Sequence, residues 1–281
     1  MYKASMDDQK IKLLVLDIDG TIAGDSNHIS GRVREVIAAA QAKGIKVAIA
    51  TGRMYCSALR FHQEIKSTLP LLAYQGAWIQ DPNSDEIHRH LPVSREIAWD
   101  LLEYFEQPDW RSLLSVHVYI NDQLYVREIS QQTARYQERC GVTAIPVGDL
   151  RQLLLNYEAT KVLALCDDTN LTQQLLANLR RQYPPAKLYL TTSVATFLEA
   201  ANTGANKGKA VRYLAEEILG LESHHVMTIG DNFNDVEMLS YAGIGVAMGD
   251  APTEVKALAD WIAPSVESDG AAVAIEKFLL N

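Results

Sequence analysis

Short, continuous apolar runs separated by helical patterns occupy both ends of this 281-residue sequence. Several runs are too continuous for strands with one face in water and are typical of parallel strands covered on both faces. Between them, apolar residues recur at i, i+3, i+4 and i+7, as from Val33 to Ala40, with Gly44 at a C-cap position. This alternation predicts an α/β fold with a doubly wound, mostly parallel, Rossmann-like sheet. The predicted strands are 11–16, 45–50, 71–74, 225–229, 244–247 and 261–263.

The middle of the chain follows a different pattern. Residues 92–202 mix helical stretches with alternating strands such as 116–120, and several prolines interrupt them. We therefore predict a core built from residues 1–91 and 203–281, with 92–202 as an inserted α+β domain. Proline and glycine at the two junctions, 91–92 and 202–204, predict that the insertion is a mobile cap hinged there.

Charge and cysteine content limit the partners of the protein. Lys and Arg number 26 and Asp and Glu 35, so the formal charge is −9, which disfavours nucleic acid and anionic membranes as partners. No apolar run approaches the ~18 residues that would cross a bilayer, and the N-terminus lacks a signal stretch. The three cysteines show no CxxC spacing, so we expect buried thiols in a reducing cytoplasm. The sequence does not distinguish a monomer from a homodimer.

The strongest chemical signal is Asp17-Ile18-Asp19-Gly20-Thr21, directly after the first apolar run. The two-residue period of an extended chain places Asp17 and Asp19 on the same side, at the carboxyl end of a buried strand, where open α/β sheets bind ligands. Two neighbouring carboxylates repel each other unless a cation or a shared proton intervenes. Their hard oxygen atoms suit Mg²⁺, which takes one or two carboxylates together with substrate phosphate. An acidic turn that merely ends a strand is the alternative.

Two further clusters carry groups that bind phosphate. Thr51-Gly52-Arg53 follows the second apolar run and offers a hydroxyl, a flexible glycine and the N–H groups of a following helix start. Lys207 begins a predicted helix, where its charge opposes the helix dipole, which indicates a positional role. Taken singly, both clusters are also compatible with an ordinary turn and a solvated lysine.

The last cluster is Gly230-Asp231-Asn232-Phe233-Asn234-Asp235, again at the end of an apolar run. Asp235 alone is compatible with a simple acidic residue at a helix start. All four clusters, however, fall at a strand end or a helix start, and together they supply acids, a hydroxyl, an amide and a lysine. This combination predicts a site for a phosphate group and a divalent cation.

The order and spacing of these motifs resemble the haloacid dehalogenase superfamily of phosphatases, in particular the Cof-type members with a large α/β (C2B-like) cap. The resemblance covers nearly the whole chain and includes the stretch Gly243 to Gly249. It implies that Asp17 is the nucleophile and Asp19 the general acid and base. Thr51, Gly52, Lys207 and Asn234 would bind the phosphate, Asp17, the Asp19 carbonyl and Asp231 would bind Mg²⁺, and Asp235 would support them from behind.

The implied function is magnesium-dependent removal of phosphate from a small, sugar-phosphate-like metabolite through a phosphoaspartate. Two positions depart from the family pattern: Gln75 stands where Asn is usual, and Asp250 stands where Asn is common. Neither touches the predicted nucleophile or metal, so they bear on the substrate. A phosphomutase of the same superfamily and a non-catalytic ligand-binding relative are the alternatives. A P-type ATPase domain is excluded by the lack of membrane helices.

Overall fold

The computed structural model describes residues 10–192 and 194–281 and forms two compact units. Unit 1 comprises the described residues up to Gly52, together with Ala58–His88 and Asn206–Asn281. Unit 2 comprises Arg53–Ser57 and Arg89–Ala205. The cap boundaries proposed above, at 92 and 202, stay a prediction.

The helices and strands, numbered along the chain, are short and alternate at both ends. The strands are β1 (Leu13–Leu16), β2 (Lys46–Ile49), β3 (Leu71–Ala73), β4 (Trp78–Gln80), β5 (Ile87–His90), β6 (Ser115–Ile120), β7 (Gln123–Val126), β8 (Ala144–Pro146), β9 (Lys161–Leu165), β10 (Tyr189–Thr191), β11 (Phe197–Ala201), β12 (Val226–Gly230), β13 (Ile244–Ala247) and β14 (Trp261–Ile262). The helices are α1 (Gly31–Ala42), α2 (Tyr55–Glu64), α3 (Arg95–Phe105), α4 (Gln131–Cys140), α5 (Thr169–Gln182), α6 (Lys207–Arg212), α7 (Val236–Tyr241), α8 (Thr253–Lys256) and α9 (Gly270–Ile275).

Unit 1 contains the predicted parallel sheet, in the order β14-β13-β12-β1-β2. All four neighbouring pairs are parallel, and β1 lies between β2 and β12 with Leu16 opposite both Ile49 and Ile229. Every residue of β1 and β12 is buried, as expected for strands covered on both faces. The predicted fold class is confirmed.

Helix α1 shows how local sequence produces the layer that covers this sheet. The Ser30 hydroxyl accepts a hydrogen bond from the Val33 N–H and so caps the helix start. The four apolar positions predicted for the inner face, Val33 to Ala40 at helical spacing, are all buried. Gly44 follows the helix end with φ of 88°, a conformation that favours glycine.

The third apolar run departs from the prediction, which counted 71–74 among the strands of a parallel sheet. Strand β3 instead pairs antiparallel with β4, and the three strands β3, β4 and β5 form a separate sheet. A parallel bridge between Ala50 and Leu72 links this hairpin to the end of β2, so the run lies parallel to β2 at that point, as predicted, without being a paired strand of the main sheet. The cause is the tight turn after β3, because Tyr74 and Gln75 both take positive φ, 52° and 59°, and reverse the chain at once.

Unit 2 is built on a second, mostly antiparallel sheet in the order β10-β11-β9-β6-β7-β8. Alternate residues of β6, such as Val118, belong to an apolar core that includes Leu101 of α3 and Leu175 of α5. On the opposite side of the same strands, Lys161 of β9 and Glu199 of β11 form a buried ion pair with 3.0 Å between Nζ and Oε2. The sheet of this α+β unit therefore has an apolar core on one face and a buried ion pair on the other.

The two ends of the long segment of unit 2 are joined by one side chain. The Asn202 amide donates to the Pro92 carbonyl at 2.8 Å, and its Oδ1 accepts from the Gly204 N–H at 2.8 Å. The residues predicted to form hinges therefore include a specific cross-link. Whether they bend stays a prediction.

One expectation about the cysteines is wrong. Cys140 and Cys166 are buried, as predicted, but Cys56, in the first turn of α2, is exposed. Its N–H donates to the Asp122 carboxylate at 2.8 Å. Partial burial and the charge of Asp122 raise the pKa of the Cys56 thiol to about 12, so it stays protonated. Among the described residues, no helix is both long and apolar enough to span a membrane.

Candidate active site

The site is centred on Asp17, at the carboxyl end of β1. The Asp17 N–H donates to the Ile229 carbonyl at 3.1 Å, which continues the pairing with β12, and its side chain is only 4% exposed. On the other side, the Ala50 N–H donates to the Leu16 carbonyl at 3.0 Å. Three parallel strands therefore deliver their following residues to one edge, as ligand sites in open α/β sheets require.

The loop after Asp17 turns tightly and brings a second acid to the same edge. The Ile18 carbonyl accepts hydrogen bonds from the backbone N–H groups of Thr21, Ile22 and Ala23. Gly20 has φ of 77°, and a Cβ there would lie 2.2 Å from an Asp231 carboxylate oxygen. Only glycine lets the Asp231 carboxylate, which follows β12, approach this backbone. Asp19 is half-buried in the same loop.

Lys207 contacts acids from two loops of the site, the loop after β1 and the loop after β12. Its ammonium lies 2.6 Å from Asp17 Oδ1 and 2.6 Å from Asp235 Oδ1, and the side chain is 1% exposed. The Asn206 side chain caps the start of α6 by accepting from the Lys209 N–H at 2.7 Å, which fixes where Lys207 emerges. Burial disfavours its charge, but attraction to Asp17 and Asp235 outweighs burial and raises the Lys207 pKa. Two carboxylates thus compensate for a cation at a helix start.

Asp235 organises the loop after β12. Its Oδ2 accepts from the N–H groups of Asp231 and Asn232, at 2.9 and 3.1 Å, while Oδ1 accepts from Lys207. The residue is fully buried. Both of its oxygens are engaged by protein donors, which makes it an anchor for Lys207 and for the Asp231 backbone.

Two of the carboxyl groups ionise less readily than a free carboxyl group. Burial raises the pKa of Asp17 to about 7, further raised by Asp235 and Asp19 and opposed by Lys207. Burial, followed by repulsion from Asp17 and Asp235, raises the pKa of Asp231 to about 9. A single lysine does not balance this set of acids.

The donor set fits a hard divalent cation. One oxygen from each of Asp17, Asp231 and Asp235 lies within 4.8 Å of the others. Because both Asp235 oxygens are already hydrogen-bonded, Asp17 and Asp231 are the better ligands of this group. Carboxylate oxygens and a reluctance to ionise without a cation are the features expected of an Mg²⁺ site.

The predicted phosphate residues gather next to this acidic group. Thr51 and Asn234 are 1% and 4% exposed, and Gly52 lies directly after Thr51 at the end of β2. One residue links the two predicted positions. Gln75 accepts at Oε1 from the Asn234 amide at 3.1 Å, and its backbone N–H donates to the Thr51 carbonyl at 2.9 Å. The sequence reasoning noted Gln75 only as a departure from a pattern and gave it no role.

A model of the family described as haloacid dehalogenase-like hydrolase matches residues 14–275. The chain belongs to this family. The match runs from β1 into α9, so it includes the loops after β1, β2 and β12 and all of unit 2. The superfamily resemblance inferred from the motifs is therefore confirmed.

Similar proteins cover the chain almost completely. It is 30% identical to YxeH of Bacillus subtilis over 96% of this chain and 98% of that protein. It is 29% identical to the 5-amino-6-(5-phospho-D-ribitylamino)uracil phosphatase YcsE of the same organism, over 98% of each. A haloacid dehalogenase-like hydrolase of Bacteroides thetaiotaomicron, of known crystal structure, has a TM-score of 0.81 and 28% identity over 95% of this chain and 99% of that one. The present chain is therefore an enzyme of the phosphatase class, as the motifs predicted.

Proposed function

We propose that the protein is a magnesium-dependent phosphomonoesterase that acts on a small, sugar-phosphate-like metabolite through a phosphoaspartate at Asp17. The observation that carries the proposal is the buried contact of Lys207 with Asp17 at 2.6 Å, beside Asp231. A purely structural acid is rarely buried among other acids with a raised pKa, whereas a nucleophile that meets an anionic phosphate needs such a cationic partner.

The chain's own residues carry the phosphoryl and proton transfers of two chemical steps. The ionised Asp17 carboxylate attacks phosphorus, and the bond to the leaving oxygen breaks as that oxygen takes a proton from Asp19. Asp19 then takes a proton from water as the water attacks phosphorus, which releases inorganic phosphate and restores Asp17. Asp19 suits both roles because it lies two residues after Asp17 and is half-buried, so it reaches the site while exchanging protons with solvent.

Charge on the transferring group needs fixed partners. Mg²⁺, when bound, would be held by Asp17, the Asp19 carbonyl and Asp231, and it would supply positive charge next to the phosphoryl oxygens. Lys207 supplies a second positive charge, which Asp235 holds in place. Thr51, Gly52 and Asn234 are the proposed donors to the remaining phosphate oxygens.

The substrate class rests on a relative and on the division of the chain. The relative YcsE is named for 5-amino-6-(5-phospho-D-ribitylamino)uracil, whose phosphate is on a ribityl chain. All the residues proposed for the chemistry lie in unit 1, so nothing in that set recognises the rest of a substrate. We propose that unit 2 contributes the selectivity for the leaving group.

Phosphate release from a panel of phosphorylated sugars, sugar alcohols and nucleotides, with Mg²⁺ and after chelation, tests the proposal. The expected result is Mg²⁺-dependent release, highest with the sugar and sugar-alcohol phosphates. Net isomerisation without phosphate release would favour the phosphomutase, and binding without turnover would favour a ligand-binding relative. Full activity after exhaustive chelation would contradict the proposed metal.

A further inference from the structure

Gln75 occupies a strained and completely buried position between two proposed phosphate-binding loops. It is 0% exposed, and its φ of 59° is in the left-handed region, which a residue with a Cβ enters at a cost. Its backbone N–H donates to the Thr51 carbonyl, and its side chain accepts from Asn234. The backbone turn therefore determines where the Gln75 side chain lies.

The Gln75 amide lies against Gly52. A Cβ on Gly52 would lie 2.4 Å from Gln75 Nε2 and 3.1 Å from its Cδ, so the amide packs against the backbone of the loop after β2. Any side chain at position 52 would displace the amide. The absence of a side chain at Gly52 therefore leaves room for the Gln75 amide.

The amide is half satisfied. Its oxygen accepts from Asn234 at 3.1 Å, which directs the nitrogen away from Asn234 and towards Gly52. Within 10–192 and 194–281, the buried Nε2 has no hydrogen-bond partner. A buried donor without an acceptor is expensive, and it is rare in folded proteins unless a ligand or a bound water completes it.

We infer that Gln75 Nε2 is a phosphate-binding donor, completed by an oxygen of the substrate's phosphoryl group. Gln75 lies between Thr51 and Asn234, both proposed to bind the same group, and its donor faces the loop that carries Gly52. An anion is the acceptor that best repays burial of an N–H donor, because charge-assisted hydrogen bonds are about twice as strong as neutral ones. This inference rests on the proposed function, since it needs a phosphate in this site.

The donor would read the phosphate and ignore the remainder of the substrate. Its loss should therefore lower kcat/KM by one factor for every ester in the panel and leave their ranking unchanged. If Gln75 only supported the fold, its loss would lower stability but would not weaken the binding of free phosphate by the folded protein.

Two variants separate these possibilities. Gln75→Glu keeps the shape and the acceptor for Asn234 but removes the donor and adds negative charge. Gln75→Met removes the donor without adding charge. Gln80→Glu is the matched control, because Gln80 is a partly buried amide at the end of β4 whose Oε1 accepts from Trp78, a role that Glu retains. The probe is inorganic phosphate with Mg²⁺, and its binding is measured by calorimetry on protein shown to be folded.

Both Gln75 variants should bind phosphate about 10-fold or more weakly than the parent protein, with Gln75→Glu the weaker, while Gln80→Glu binds normally. Unchanged phosphate affinity in the folded Gln75 variants would overturn the inference, as would a parent protein that does not bind phosphate. If the parent protein binds phosphate but hydrolyses no ester, the proposed function fails, and the Gln75 comparison still reports on the donor.

Discussion

At the scale of single residues, the site gathers three carboxyl groups around one lysine. Asp17 and Asp235 each contact the Lys207 ammonium, and Asp231 lies against Gly20 in the loop after Asp17. Of these groups, Asp235 is held by protein donors on both oxygens, whereas Asp17 and Asp231 have raised pKa values. This asymmetry supports the proposal that Asp235 anchors the loop and that Asp17 and Asp231 bind the metal.

The role proposed for Asp19, general acid and then general base, depends on the leaving group. We predict that Asp19→Asn lowers turnover of alkyl phosphates about 10²–10⁴-fold, the usual contribution of a general acid or base. Aryl phosphates with acidic leaving groups should lose less in the first step, because their oxygen departs without a proton. Burst kinetics over a series of leaving groups measure this. Equal losses in the first step across the series would contradict the assignment.

At the scale of elements, the sequence predicted a strand or helix well wherever the residues of that element alone determine its structure. The continuous apolar runs located the five parallel strands to within a few residues, because a strand buried on both faces has no polar position. Helical spacing and the glycine at the C-cap position located α1 for the same kind of local reason. The common location of the motifs could then be predicted, because the carboxyl ends of parallel strands meet at one edge of the sheet.

The remainder depended on backbone geometry or on residues far apart in sequence. Positive φ at Tyr74 and Gln75 turns β3 into a hairpin, and no glycine or asparagine at those positions announces it. Cys56 was expected to be buried, but exposure depends on the turn of a helix that the residue occupies. The role of Gln75 rests on contacts with Gly52 and Asn234, which are distant in sequence.

The Lys161–Glu199 pair across β9 and β11 permits a prediction about unit 2. Both side chains are at most 3% exposed, and the lysine also lies 4.8 Å from the Tyr119 ring centroid. Glu199→Leu leaves a buried ammonium without its carboxylate and should cost about 3–5 kcal/mol of local stability. Adding Lys161→Met should recover most of the loss, because a buried pair replaced by apolar side chains is often nearly neutral.

Amide hydrogen exchange of β9 and β11 measures this effect locally. The matched control is Asp167→Asn, which removes the carboxylate of an ion pair in unit 2 whose partners are 57% and 62% exposed. Its cost should be below about 1 kcal/mol. If the double variant is as unstable as Glu199→Leu, the loss does not come from the unpaired charge.

At the scale of the whole molecule, the raised pKa values couple stability to pH and metal. Asp17 and Asp231 ionise near 3.8 when unfolded, but at about 7 and about 9 in the folded, metal-free protein. Between these values the folded state holds more protons than the unfolded state, so these groups make the metal-free protein less stable as pH rises. Under the proposed function Mg²⁺ binds these carboxylates in their ionised form, so its stabilising effect should grow over the same range.

The measurement is the difference in melting temperature with Mg²⁺ and with a chelator, as a function of pH. Groups remote from the metal contribute equally to both curves and cancel. The difference should increase from mildly acid to alkaline pH and should nearly vanish in Asp231→Asn. A difference that is independent of pH, or that persists in this variant, would contradict the assignment of Asp231.

Unit 2 carries a separate prediction about specificity. If it selects the leaving group, substitutions there should change the relative kcat/KM across the ester panel while phosphate affinity stays the same. Gln75 variants should lower kcat/KM by a common factor for all esters, weaken phosphate binding and leave the ranking unchanged. The comparison of the two sets on one panel is the measurement. An unchanged ranking for several substitutions in unit 2 would leave that unit without the proposed role.

The central claim, a phosphoryl group carried on Asp17, has a direct test. Rapid acid quench during turnover, followed by mass spectrometry of the peptides, should find the mass of one phosphoryl group on the peptide that contains Asp17. The modification should accumulate in Asp19→Asn, which is slow in hydrolysing it, and should be absent from folded Asp17→Asn, which should also be inactive. Turnover by Asp17→Asn, or phosphate release with no modified peptide in either active protein, would contradict the account.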